Sequence, residues 1–229
     1  MDRTVVKFSH CGRDIFNFSD QTTKLSSFCQ QKQTGARRNT CPVCNESLAF
    51  GLLDAPVSLP YPFTNGHTAP CSFLLGANDG PQFLGEWNDT ELHVGVSNSN
   101  GLVYNYTLSG MQMDQCGWEQ CVCIQLVPPW RDSLIASWDK ELQLFSALSE
   151  WTPERFHEER EFGSCCYGFA LTFINHMRAL DNKVSLSRNE FTTSQVLPRM
   201  KRASMYIKVY EEILQSGFYT IEKNEISSI

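Results

Sequence analysis

Cys166, His93 and Asn105 are the residues whose types could together break a carbonyl bond. A thiol nucleophile needs a favoured thiolate, a nearby imidazole and a group that orients that imidazole. Cys166 opens an apolar stripe of Phe169, Ala170, Phe173, Ile174 and Met177, whose 3- and 4-residue steps predict a helix with Ser164 as its N-cap. At a helix start, unsatisfied N–H groups and the dipole favour a thiolate, and the N–H of Cys166 could hold an oxyanion. Cys165 is the adjacent rival, off the stripe. His93 lies in Leu92-His-Val-Gly-Val-Ser97, a strand by pattern. Alternation puts His93, Gly95 and Ser97 on one face and Val94 and Val96 on the other, and glycine leaves room above the sheet. Asn105 sits between Tyr104 and Tyr106 and faces opposite to both, where its amide can bond the imidazole. The chemistry of such a set is attack on an amide, isopeptide or ester carbonyl through a thioester. The competing reading is plainer: a cysteine on an apolar stripe is most often core.

A second group suits a metal. Cys41-Pro-Val-Cys44 has the C-x2-C spacing that lets two thiolates grip one tetrahedral ion from a tight turn. Cys11-Gly12 resembles the end of a zinc-ribbon knuckle whose expected first cysteine is replaced by Phe8. Cys11 is therefore the expected third ligand. His10 is the fourth ligand taken forward, with Cys29, His67 and Cys71 as the other candidates. The expected cofactor is a structural zinc ion holding a module too small to build its own core.

The elements that must position these residues fall in three stretches. Residues 1–50 read as a small cysteine-rich module, with strands near Val5–Phe8 and Ile15–Phe18 and a polar loop over 19–40. From 54 to 127 short runs bounded by Gly, Asn, Asp or Pro predict strands at 55–61, 72–75, 92–97, 101–107 and 122–127. Asn98-Ser-Asn-Gly101 between two of them is a hairpin signal. After Pro128-Pro129 the period changes. Leu134, Trp138, Leu142 and Phe145 predict a helix, Ser187-Arg-Asn-Glu190 a capping box, and Tyr206 to Leu214 a last helix stopping near Gly217. The expected fold class is α+β: a zinc-ribbon-like N-terminal module, then an antiparallel sheet packed on helices over 51–221, with a frayed tail at 222–229.

Composition narrows the function classes. The 229 residues carry a net charge of −6, with 41% hydrophobic and 19% charged. That mix suits a packed core, and the acidic balance argues against a nucleic-acid surface. No apolar stretch approaches a membrane span, and Met1-Asp-Arg-Thr-Val-Val-Lys is not a secretory leader. Ten cysteines without a leader are expected as reduced thiols or ligands in a cytoplasmic or nuclear protein. The expected partner or substrate is a protein.

The motifs also carry a resemblance. His93-Val-Gly-Val, followed by Asn-Gly-Leu-Val-Tyr-Asn105, resembles the histidine strand pair of circularly permuted papain-like proteins, such as the lecithin retinol acyltransferase relatives and the desumoylating isopeptidases. There the histidine strand precedes the cysteine helix. Asn105 matches the position where the acyltransferases carry a second histidine. Cys166-Tyr-Gly-Phe169 is similar to the Cys-x-x-Phe start of the group's nucleophile helix, with Cys165 where asparagine often stands. The resemblance implies a permuted papain-like domain with Cys166 as nucleophile and His93 as base. A broader likeness covers most of the chain. Phe8-Ser-His-Cys11, Asp54-Ala-Pro-Val-Ser58, Pro62-Phe-Thr-Asn-Gly-His67, Leu92-His-Val-Gly95 and Ala170-Leu-Thr-Phe-Ile-Asn175 resemble the makorin opposite-strand family, whose name carries no activity. The alternative to a thiol hydrolase is an inactive adaptor built on the same scaffold.

Overall fold

A computed structural model of the chain describes residues 3–19, 40–50, 55–77, 92–157 and 165–223. Its strands are β1 (Val5–His10), β2 (Arg13–Phe18), β3 (Val57–Ser58), β4 (Ser72–Ala77), β5 (Leu92–Ser97), β6 (Val103–Thr107), β7 (Gly110–Asp114), β8 (Val122–Gln125) and β9 (Tyr219–Glu222). Its α-helices are α1 (Asp132–Ser146), α2 (Cys166–Leu180), α3 (Arg188–Phe191) and α4 (Leu197–Ser216). The chain divides into two units: Met1–Tyr61 with Tyr206–Ile229, and Pro62–Met205. The α+β class expected from sequence is the one observed, with antiparallel sheets packed on helices.

The first unit is built on a sheet of order β3-β1-β2-β9. β1 and β2 form a hairpin from Val5↔Phe18 to His10↔Arg13. Its two turn residues, Cys11 and Gly12, both have positive φ, 42° and 76°. That is the primed turn whose twist matches the flanking strands. The first unit takes in residues from both ends of the chain. β9 pairs with β2 from Arg13↔Glu222 to Phe16↔Tyr219, so residues expected to close the second domain complete the first sheet. A four-residue strand at the chain's end has too little pattern to announce a partner 200 residues away. The last helix does stop as expected, at Ser216, with Gly217 at φ 83°. Within this unit the Phe18 ring meets Tyr210 edge-on at 5.0 Å.

The second unit holds an antiparallel sheet of order β7-β6-β5-β4-β8. The turn between β5 and β6 is fixed by Asn98, whose Oδ1 accepts the N–H groups of Asn100 and Leu102 at 2.9 and 2.8 Å. Gly101 is required there: a Cβ would fall 2.0 Å from the His67 carbonyl oxygen. One sheet face carries Phe73, Val96 and Tyr104, which lie opposite one another on successive strands. α2 covers this face, with Phe73 against Tyr167 at 5.7 Å. α1 packs on α2 through Trp138 and Phe173, ring centroids 4.9 Å apart. Phe169 and Phe173 are fully buried, each contributing roughly 1.5–3 kcal/mol. The opposite face carries His93, Gly95 and Asn105, and Trp118 lies over it with Leu74, Val103 and Cys121.

α3 begins with the expected capping box: Ser187 Oγ accepts from Glu190 N at 3.2 Å, and Glu190 Oε2 accepts from Ser187 N at 2.8 Å. A π-helical turn, Thr192–Val196, joins α3 to α4. Among the described residues no helix is long and apolar enough to cross a membrane.

Candidate functional site

β5 and β6 bring His93 and Asn105 together. The register pairs Gly95 with Asn105, so the two side chains share a face, and His93 Nε2 lies 2.8 Å from Asn105 Oδ1. Asn105 is 2% exposed, and its Nδ2 donates to Asp114 Oδ2 at 2.6 Å. That bond fixes the amide, leaving Oδ1 to accept, so the network assigns the ring proton to Nε2 and leaves Nδ1 as the basic nitrogen. Trp118 Nε1 also donates to Asp114 Oδ2, at 3.0 Å, and its indole lies 5.6 Å from the imidazole, tilted by 36°. The space expected above Gly95 is filled by this indole. A Cβ at Gly95 would meet Val103 Cγ1 at 2.6 Å and Trp118 Cη2 at 3.0 Å.

Asp114 and Trp118 were not legible as site residues. Gly-Met-Gln-Met-Asp lacks the β-branched residues that mark a strand, and Trp118 stands in an irregular stretch with no period to place it.

α2 places its first residue, Cys166, beside β5. The Val94 backbone is near enough to favour its thiolate, but Cys166 stands on the face that α2 covers and His93 on the opposite one, and among the described residues no hydrogen bond joins the two side chains. The N-cap is Cys165 rather than Ser164, which lies outside the described residues. The Tyr167 and Gly168 N–H groups point toward the Cys165 sulfur without closing full capping bonds. The lowered thiol expected at Cys166 therefore falls on its neighbour. A hydrogen bond from the Cys166 thiol, then the backbone N–H groups and the Arg188 charge, bring Cys165 down to about 5 against the opposing effect of burial. The same contact with Cys165, reinforced by burial, holds Cys166 protonated well above the ordinary thiol range. The contact between the two adjacent thiols thus shifts them in opposite directions.

The first unit holds the other group. His10, Cys11, Cys41 and Cys44 offer four ligand atoms that all lie within 4.8 Å of one another, a set that could hold a metal ion. Cys11 Sγ is 3.8 Å from Cys41 Sγ, and Cys44 Sγ is 3.4 Å from His10 Nδ1. The Cys41–Cys44 turn is a knuckle: Val43 N donates to Cys41 Sγ at 3.4 Å and Asn45 N to Cys41 O at 2.9 Å. Burial raises the Cys41 thiol, but the Cys44 and Val43 amides outweigh it and bring it to about 7. Phe8, where a ribbon's first cysteine was expected, packs with Ile15 and Cys41 and meets Phe50 edge-on at 5.4 Å. Alternation along β1 puts His10 on the Phe8 face, where its imidazole stands close to the three thiols. Of the other candidates, Cys29 lies outside the described residues. His67 and Cys71 belong to the second unit, where His67 Nδ1 bonds Gly101 O at 2.8 Å and Cys71 is buried.

Comparison with known proteins places the chain. A family model described as DUF4796 C-terminal matches residues 56–213. The chain is 38% identical over 222 residues to MKRN2 opposite strand protein of Homo sapiens, covering 96% of this chain and 90% of that protein. The chain belongs to the makorin opposite-strand family. The family model spans His93, Asn105 and Cys166 but stops short of the four candidate metal ligands, whereas the match to the human family member covers nearly the whole chain. No solved structure matches the fold, so the papain-like resemblance rests on the motifs themselves.

Proposed function

We propose that this member of the family is a papain-like thiol hydrolase or acyltransferase, with Cys166 as nucleophile, His93 as base and then acid, and Asn105 orienting the ring. The observation that supports the reading is the His93–Asn105 bond of 2.8 Å; Cys166 lies by the Val94 backbone on the sheet face that α2 covers, so its side chain must turn toward His93, on the other face, for the two to pair. His93 Nδ1 takes the Cys166 proton as the sulfur bonds the carbonyl carbon, and the carbonyl electron pair becomes an oxyanion near the Cys166 N–H. The tetrahedral species collapses to a thioester. The amine or alcohol leaves with the proton from His93. Water, or a second nucleophile in a transfer, then attacks the thioester, gives its proton to His93, and the sulfur regains it as the acyl group departs. Nε2–H stays on Asn105 throughout and keeps the charged ring in place. The substrate class is an amide, isopeptide or ester carried by a protein in the cytoplasm or nucleus, where thiols stay reduced.

The bond between Cys166 and Cys165 favours a second reading, an adaptor whose thiol pair is structural. Incubation with p-nitrophenyl acetate, followed by intact-mass measurement and peptide mapping, separates the two. The hydrolase reading expects one acetyl group on Cys166 and none in Cys166→Ala. An unmodified wild-type chain, or equal labelling of the variant, supports the adaptor.

We infer further that the metal is zinc. Three thiolates and an imidazole form the soft, closed donor set of structural zinc sites. Zn–S bonds of about 2.3 Å at tetrahedral angles set sulfurs about 3.8 Å apart, and Cys11 and Cys41 stand at that separation. A cysteine at φ 42° in a primed hairpin turn, where Asn or Gly is usual, fits a side chain retained for ligation. Bound there, the ion would tie the β1–β2 turn to the Cys41–Cys44 knuckle.

A further inference from the structure

A cavity of about 190 Å³ in the second unit is remote from Cys165 and Cys166. It opens near Met177, about 16 Å along α2 from Cys166 at 1.5 Å per residue. Its floor is apolar: Ile124 and Val127 beside the edge strand, Trp138 of α1, Ile174 and Met177 of α2, and Phe191 of α3. All six are buried side chains. A cavity of about 150 Å³ lined this way accepts a benzene, so this one has room for a single aromatic ring or a short alkyl chain.

Its walls are pinned rather than collapsible. Asn175 holds the neighbouring loop through two bonds, Nδ2 to Leu186 O at 2.9 Å and Leu186 N to Oδ1 at 2.8 Å. The fourth side is the π-helical turn, whose Gln195 faces the cavity. Single π turns are rare and cluster at functional positions.

The rim is basic in a chain of net charge −6. Arg178 and Lys183 line it together with Asp181. Asp181 is already neutralised, by Lys183 at 2.7 Å and by Arg131 at 2.6 Å. Arg178 Nε donates to Val184 O at 2.8 Å, which sets the guanidinium fork at the mouth with its Nη groups available to a ligand. Two lining cations against one carboxylate, which is also paired with Arg131, leave a positive edge over an apolar floor.

We propose that this cavity binds a small monocarboxylate bearing one aromatic ring or a short alkyl chain, with the apolar part on Trp138 and Met177 and the carboxylate against Arg178 and Lys183. The site is independent of the thiol chemistry. Titration of the full chain with 3-phenylpropionate, followed by isothermal calorimetry and protein NMR, tests it. 3-Phenylpropan-1-ol supplies the ring without the charge, and acetate the charge without the ring. The acid should saturate the protein, the alcohol should bind at least about 5-fold more weakly, since one charge-assisted hydrogen bond is worth about that much or more, and acetate should not bind. In Arg178→Gln and in Lys183→Gln, the latter an exposed side chain with little bearing on folding, the advantage of acid over alcohol should shrink while alcohol binding persists. Absence of saturation by the acid, or equal binding of acid and alcohol to the wild-type chain, would overturn the proposal.

Discussion

His93 and Asn105 are joined by a hydrogen bond of 2.8 Å from Nε2 to Oδ1, and the buried amide that accepts it is itself held by a half-buried carboxylate, Asp114. An imidazole oriented this way has its Nδ1 lone pair free of the Asn105–Asp114 network. Asn105→Ala should break the chain of bonds at its centre. It removes a buried bond to a charged group and should cost about 1–3 kcal/mol in a urea unfolding experiment. If the ring's orientation matters to acylation, the yield of acyl-enzyme should fall by more than this loss of stability explains, under conditions where the variant is still folded.

Gly95→Ala tests the roof over the same ring. The added methyl meets Val103 and Trp118 inside 3.1 Å, and overpacking of this kind costs about 1–3 kcal/mol. A lowered unfolding midpoint together with a changed tryptophan emission is expected. An unchanged midpoint would mean that the indole moves aside without penalty.

The sequence made several parts of this site legible, for local reasons. Period-2 alternation placed His93 and Asn105 on one face, and Asn98 to Gly101 set the hairpin register that brings them opposite each other. The Cys41-Pro-Val-Cys44 spacing announced the knuckle. What remained hidden depends on contacts across long separations. His10 was one of several candidates for the fourth ligand, and its place beside the knuckle follows from Phe8 docking on the knuckle residues, while β9 joins β2 from the far end of the chain. The difference between Cys165 and Cys166 turns on their contact with each other, which lowers one thiol and raises the other, and no pattern of residue types announces it.

That difference has a pH signature. The folded-state pKa of Cys165 is depressed to about 5, against about 8.5 for a thiol in an unfolded chain. A depressed acid contributes stability that is fully present above the unfolded value and is lost as pH falls through the folded one. The stability gap between wild type and Cys165→Ser should therefore open as pH rises from about 5 to about 8.5, and shrink above that, where the raised Cys166 thiol opposes it. A gap independent of pH over this range would show that Cys165 stays a neutral thiol.

Asp14 gives a second window, in the first unit. Burial opposes its ionisation, but Lys7 at 2.6 Å and the Ser9 hydroxyl at 2.6 Å hold its carboxyl below the usual range. Asp14→Asn should be less stable than wild type by about 1–3 kcal/mol at neutral pH. The deficit should persist down to about pH 4 and disappear as pH falls through the lowered native pKa. Equal stabilities at pH 7 would contradict this assignment.

The metal reading predicts about one zinc per chain by elemental analysis, in line with one closed four-ligand site. Cys44→Ala should lose the metal, and chelation of the wild type should lower the unfolding temperature. A metal-free preparation with unchanged unfolding would remove zinc from the account.

The most direct test of the thiol reading is the rate at which iodoacetamide alkylates Cys166 near pH 7 in a Cys165→Ser background, with and without His93→Ala, read by peptide mapping. Removal of the neighbouring sulfur frees Cys166 from its hydrogen bond to Cys165, so only the imidazole and the helix start can activate it. The account predicts a drop of at least about tenfold when His93 is removed, in line with the 10²–10⁴ that a positioned base contributes. Equal rates in the two chains would contradict pairing of Cys166 with His93 and leave the adaptor reading in its place.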